Sequence, residues 1–168
     1  SFKAIAGQRA AGVPVPVLVL LGLLPFAAGL LHFTAAGRHI YAVGGNEKAA
    51  RLSGISVGRT KALAYGMSAG LAALAGVLFA AYNRQGNPSA GVGYELNAIA
   101  AAVIGGASLS GGEGSIAGTL LGTAIFAVLL NGLNLVVRRN ASLWEGMIVG
   151  GVVLAAVVFN TIRQRKGR

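Results

Sequence analysis

Cysteine and aspartate are both missing from these 168 residues, and glutamate occurs only four times. Without cysteine there is neither a disulfide framework nor a thiolate metal site. Glu47, Glu95, Glu113 and Glu145 are scattered, so no nucleophile has both a base and an orienting acid, and the chain does not read as an enzyme. Charged residues of both signs make up 11%, where a soluble domain carries about a quarter. Apolar residues fill the place: 55% of the chain, with 27 glycines that follow no G-X-Y period and so exclude collagen. The glycines fall inside apolar runs, where membrane helices use them for close approach. The bilayer is the solvent for such a chain.

The net charge of +10 would suggest nucleic acid in a soluble protein. Here the basic residues stand only in short segments between apolar runs, the pattern of loops beside a membrane, and nucleic acid is not expected as a partner. The first apolar run is not read as a signal peptide, because no small-residue cleavage site follows it and further spans do.

A fold class follows: all-α, a polytopic helical membrane bundle of about five segments within a single transmembrane domain, 1–168. Val13 to Leu31 is the first, close to the roughly 20 residues that cross a bilayer. Pro14 and Pro16 stand at its start and Pro25 within it, where a kink is expected. Ala62 to Tyr82 is the second, and turn-rich Asn83 to Gly93 returns to water. Glu95 to Ala107 is too short for a full crossing and must be a short, broken or steeply placed helix before the glycine-rich SLSGGEGS. Ile116 to Val137 is a full span, Arg138 to Ser142 a tight loop, Leu143 to Ile162 the last span and Arg163 to Arg168 a basic tail.

Between the first two spans lies a polar island, Gly37 to Ile55, GRHIYAVGGNEKAARLSGI. Arg38, Glu47, Lys48 and Arg51 would each be costly in hydrocarbon, so the island sits in water. Asn46 to Leu52 reads as a short helix: Asn46 caps it, Glu47 suits its positive end, and Ala49 and Ala50 favour it. Gly44, Gly45 and Gly54 are expected to bend the backbone on either side.

That island resembles the cytoplasmic loop of the permease subunits of bacterial ABC sugar importers, the ribose, xylose and galactose group. GYELNAIAAAVIGGASLSGGEGSIAGTLLG, from Gly93 to Gly122, and the NGLN of Asn131 to Asn134 are similar to the same family, and the likeness covers nearly the whole chain. The proline pattern of Val13 to Val17 is most like the xylose branch. The family's permease is about twice as long, so the chain resembles its carboxy-terminal half. The resemblance implies residence in the bacterial inner membrane, a second permease copy, a cytoplasmic ABC ATPase, a periplasmic sugar-binding protein and no cofactor. It also implies that 37–60 is the cytoplasmic coupling loop, with Gly45, Asn46, Ala50, Arg51, Ser53, Gly54 and Ile55 as its docking surface.

Orientation agrees if the carboxy terminus is cytoplasmic and Glu95 to Ala107 counts as a crossing. Arg38, Lys48, Arg51, Arg59, Lys61, Arg163, Arg165, Lys166 and Arg168 are then inside, against Lys3, Arg9, Arg84, Arg138 and Arg139 outside.

Several residues carry two readings. Gly66 and Gly70, then Gly114, Gly118 and Gly122, then Gly146 and Gly150, are small residues four apart; they suit packing within one subunit, or a subunit interface or sliding surface. Asn131 and Asn134 share a helix face in an apolar span, where each amide needs a partner: another helix, or a sugar in the path. Glu95, near Asn97, complements a helix dipole or touches substrate at the outer mouth. Glu113 stands in a glycine run without the following Lys-Ser or Lys-Thr of a phosphate loop. His32 and His39 lack companions at ligand spacing, so no metal is expected.

Two alternatives stand beside the sugar permease. One is the same architecture carrying a branched-chain amino acid or a signalling sugar. The other is a passive membrane scaffold or channel without an ATPase, which leaves the capped helix of the island unexplained.

Overall fold

The computed structural model describes residues 9, 10, 13–84, 86, 88–136, 146–152, 154 and 158. A two-residue antiparallel ladder opens it, β1 (Arg9–Ala10) pairing with β2 (Val13–Pro14), Arg9 opposite Pro14 and Ala10 opposite Val13. All other regular structure among the described residues is helical. The chain is an all-α membrane protein apart from that ladder.

Helix α1 (Val15–Phe33) starts at the prolines, where a missing amide has no helical partner to lose, and continues past Pro25. Thr34 ends it in extended backbone and caps α2 (Ala35–Gly45). The Thr34 hydroxyl donates to the Leu30 carbonyl at 2.6 Å and accepts from the Gly37 amide at 3.2 Å, joining the two helices at one corner. A Cβ on Gly37 would fall on the carbonyls of Leu30 and Leu31, so the corner requires glycine. Then follow α3 (Glu47–Leu52), α4 (Val57–Asn83), α5 (Tyr94–Ile104) and α6 (Ile116–Val136). Residues 146–152 are also helical. The tight loop Arg138–Ser142, the basic tail and most of the span read over Leu143–Ile162 lie outside the described residues.

Length sorts the helices. At 1.5 Å per residue, α1 is about 28 Å long and α6 about 31 Å, each matched to the roughly 30 Å of hydrocarbon. With α4, they are the three helices among the described residues that are long and apolar enough to cross a membrane. Helix α4, at about 40 Å, exceeds that thickness, so its amino-terminal end, with Arg59 and Lys61, extends into water before the apolar run from Ala62. Helix α5 has only 11 residues, about half a crossing, as its short apolar run predicts.

The chain falls into two compact units, Ser1–Gly91 and Val92–Arg168. In the first, α2, α3 and α4 meet through Val43, Ala50 and Val57, with Ile55 packed against them. In the second, Ala100 and Ala101 of α5 pack on Phe126 of α6 and Val149, with Ile104, Leu130 and Val152 around them. Gly105 abuts Gly118 while Ala101 abuts Gly122, so α5 and α6 run antiparallel. A Cβ on Gly105, Gly118 or Gly122 would strike backbone across the crossing, which places Gly118 and Gly122 in packing within one subunit. Gly66 and Gly70 of α4 have nothing within 4 Å of where a Cβ would stand. Outside these clusters, apolar side chains such as Leu21, Phe26, Leu121 and Val128 are exposed, the distribution that lipid permits.

Candidate functional site

The junction of α2, α3 and α4 is the most elaborately built polar region among the described residues. Gly44 and Gly45, expected to form the bend, are instead the last turn of α2. The bend falls one residue later, at Asn46, whose backbone is extended (φ −155°, ψ 101°). The physical reason is hydrogen bonding: the Asn46 amide completes α2 by donating to the Ala42 carbonyl at 3.0 Å, and its side-chain Oδ1 accepts from the Ala49 amide at 3.0 Å to start α3. One residue thus ends one helix and begins the next.

The far end of α3 is equally specified. The Gly54 amide donates to the Arg51 carbonyl at 3.1 Å, and the Ile55 amide to the Ala50 carbonyl at 3.0 Å, with Gly54 left-handed at φ 81°. This pair of bonds is the Schellman closure, and the contact of Ile55 with the cluster around Ala50 is its usual apolar companion. Ser53 adds its hydroxyl to the Ala49 carbonyl at 3.0 Å. Caps at both ends compensate for a helix of six residues that could not persist alone.

Glu47 adds the charge. Its carboxylate accepts from Lys61 Nζ of α4 at 2.5 Å and lies 3.7 Å from Arg51 one turn along α3. The hydrogen bond from Lys61 and its positive charge, aided by Arg51, hold the Glu47 carboxyl below the usual glutamate range. What remains outward on α3 is Lys48, Ala49, Arg51 and Leu52, the last 90% exposed.

The seven residues expected at the docking surface are therefore together, in distinct positions. Arg51 is exposed; Asn46, Ser53 and Gly54 are exposed and serve as caps; Gly45 ends α2. Ala50, 4% exposed, and Ile55 face the cluster, so they support the surface from beneath. Leu52 and Lys61 were not singled out from sequence for this site. Exposure of one leucine has no signature in a helical turn, and a partner 14 residues away obeys no local spacing rule.

The residues expected along a substrate path lie in the second unit. Glu95 is in the first turn of α5, whose start is a left-handed Gly93, and Asn97 follows. Asn131 of α6 donates its amide to the Ala127 carbonyl of its own helix at 2.9 Å. Asn134 belongs to α6, and its side chain lies outside the described set. The antiparallel pairing brings the start of α5 and the end of α6 to the same end of the hairpin. His32 Nδ1 stands 3.2 Å from the Ala28 carbonyl, and among the described residues no three His, Cys, Asp or Glu side chains cluster.

Comparison with known proteins bears on this geometry. The family model described as branched-chain amino acid transport system / permease component matches residues 1–157. The ribose import permease protein RbsC of Escherichia coli is 49% identical over 157 residues, 93% of this chain and 48% of the relative. The xylose transport system permease protein XylH of Haemophilus influenzae is 45% identical over 155 residues, 92% of this chain and 41% of the relative. RbsC of Bacillus subtilis is 46% identical over 149 residues, 89% of this chain and 46% of the relative. The chain thus spans about half the length of these curated relatives. No solved structure matches it significantly. A match over nearly every residue, on helices long and apolar enough to cross a membrane, means that the chain belongs to this family of transport-system permease components.

Proposed function

We propose that the chain forms part of the permease subunit of an ATP-driven importer that moves a monosaccharide, a pentose such as xylose or ribose, across the bacterial inner membrane. The observation that carries this reading is the doubly capped helix α3, held between α2 and a membrane-crossing α4, with Arg51, Lys48 and Leu52 turned outward. A passive channel has no use for such a helix. A cytoplasmic ATPase offering acidic side chains around an apolar recess would grip it, and motion of that partner would rotate the spans rooted on either side. In this reading residues 37–60 are the cytoplasmic loop, the carboxy terminus is cytoplasmic, a second permease copy completes the pore and a periplasmic binding protein delivers the sugar. The permease hydrolyses nothing itself. Asn131, Asn134, Glu95 and Asn97 border the sugar path, where amides serve hydroxyl-rich ligands as both donors and acceptors.

The pentose is suggested by the relatives named for ribose and for xylose, whose identities of 49% and 45% favour neither sugar strongly. A branched-chain amino acid is the second reading, on the wording of the family model. The test is to purify the full-length permease from membranes and ask whether an ABC ATPase comes with it, then to measure uptake of labelled xylose, ribose and leucine. Pentose uptake that needs ATP supports the first reading; leucine uptake supports the second, and transport without any ATPase overturns both.

A further inference from the structure

The four residues 53–56 connect α3 to α4. Their Schellman bonds return to α3 itself, through Gly54 to Arg51 and Ile55 to Ala50, while Ser56 starts α4 without a side-chain cap. Within the connection, only Ile55 reaches the apolar cluster that joins the helices, so the angle between them depends on contacts across the gap. Ala50 joins Val57, Val43 and Ile55 in the apolar cluster, and a turn away Glu47 pairs with Lys61 at 2.5 Å. Glu47 and Ala50 share one face of α3, three residues apart; Val57 and Lys61 share one face of α4, four residues apart. One contact permits pivoting, whereas two contacts a turn apart define an angle.

We propose that the Glu47–Lys61 pair is the strut that transmits displacement of α3 into the membrane-crossing part of α4, with both residues acting as positioning residues for transport. This rests on the reading of α3 as the ATPase handle. Lys61 is the residue immediately before the apolar run that begins at Ala62, so the push arrives at the root of the span. Both side chains are about half exposed, at 44% and 48%, where an ion pair adds little to folding stability. Arg51, 73% exposed and farther from Glu47, is turned toward whatever grips α3 rather than into the strut. The apolar contact keeps α3 seated when the strut is removed, so its loss affects transmission and leaves assembly intact.

The experiment uses the full-length permease reconstituted in vesicles with its ATPase and binding protein, and reads sugar moved per ATP hydrolysed. Lys61→Met should still bind the ATPase, yet sugar moved per ATP should fall by about 2- to 30-fold. Lys61→Arg should keep the wild-type ratio. Glu47→Lys combined with Lys61→Glu rebuilds the pair in reverse and should recover most of what Lys61→Met loses. An unchanged ratio in Lys61→Met overturns the strut, as does a reversed pair no better than Lys61→Met. Failure of the wild-type permease to bind any ATPase would instead remove the handle reading itself.

Discussion

Gly122→Ala, a single added methyl, tests how closely α5 and α6 are packed. The new Cβ would come 2.5 Å from the Gly105 amide nitrogen and 2.8 Å from the Gly105 Cα, and closer still to the Ala101 carbonyl oxygen. All three are backbone atoms, so no rotamer change relieves the clash. Since non-bonded carbons rest at about 3.5–4.0 Å, the helices must part by about 1 Å, lifting Ala100 and Ala101 off Phe126. Overpacking of this kind costs about 1–3 kcal/mol. Gly132, farther along α6, has nothing within 4 Å of where its Cβ would stand. Gly132→Ala therefore carries the same propensity gain of alanine over glycine, about 1 kcal/mol, without the clash. Subtracting one variant from the other cancels propensity and leaves the crossing, about 5- to 150-fold in the unfolding equilibrium. The assay is unfolding of the full-length permease in detergent micelles by added sodium dodecyl sulfate. Gly122→Ala should unfold at lower denaturant than Gly132→Ala; coincident curves would refute the close crossing.

Asn46→Ala removes the Oδ1 acceptor for Ala49 and should weaken α3 by about 1 kcal/mol, read as faster amide exchange at Ala49, with Asn46→Asp largely protected. Gly54→Ala forces a side chain into left-handed backbone and should cost about 1–2 kcal/mol, seen as earlier proteolysis between α3 and α4. Ala50→Glu has no room for its carboxylate beside Val43 and Val57, so membrane insertion should survive while ATP hydrolysis no longer drives uptake; normal uptake would count against the role of α3. Because Lys61 lowers the folded-state value of Glu47, the pair's contribution is complete above the ordinary glutamate range and fades as pH falls through the lowered value. Carboxyl NMR should find Glu47 titrating below an ordinary glutamate, and Lys61→Met should move its midpoint up.

Read in order, the residues alone established the class of this protein and the existence of the short capped helix α3. Apolar runs of about 20 residues leave helices as the only way to satisfy backbone groups in lipid, and Asn46 and Gly54 are local signals because caps act within a turn. The shortness of α5 was legible for the same reason of length. Which glycines bend and which stay helical was not, because Gly45 and Gly54 differ only in whether a neighbouring amide can complete a helix. Nor could sequence separate Gly118 and Gly122, which face backbone, from Gly66 and Gly70, which face open space: the four-residue spacing is identical and only the neighbouring helix differs. The Glu47–Lys61 pair, 14 residues apart, arises only when the turn after α3 brings α4 back alongside it. Local patterns determined the helices and their caps; contacts distant in sequence were decided by the tertiary structure, because charge and packing act through space.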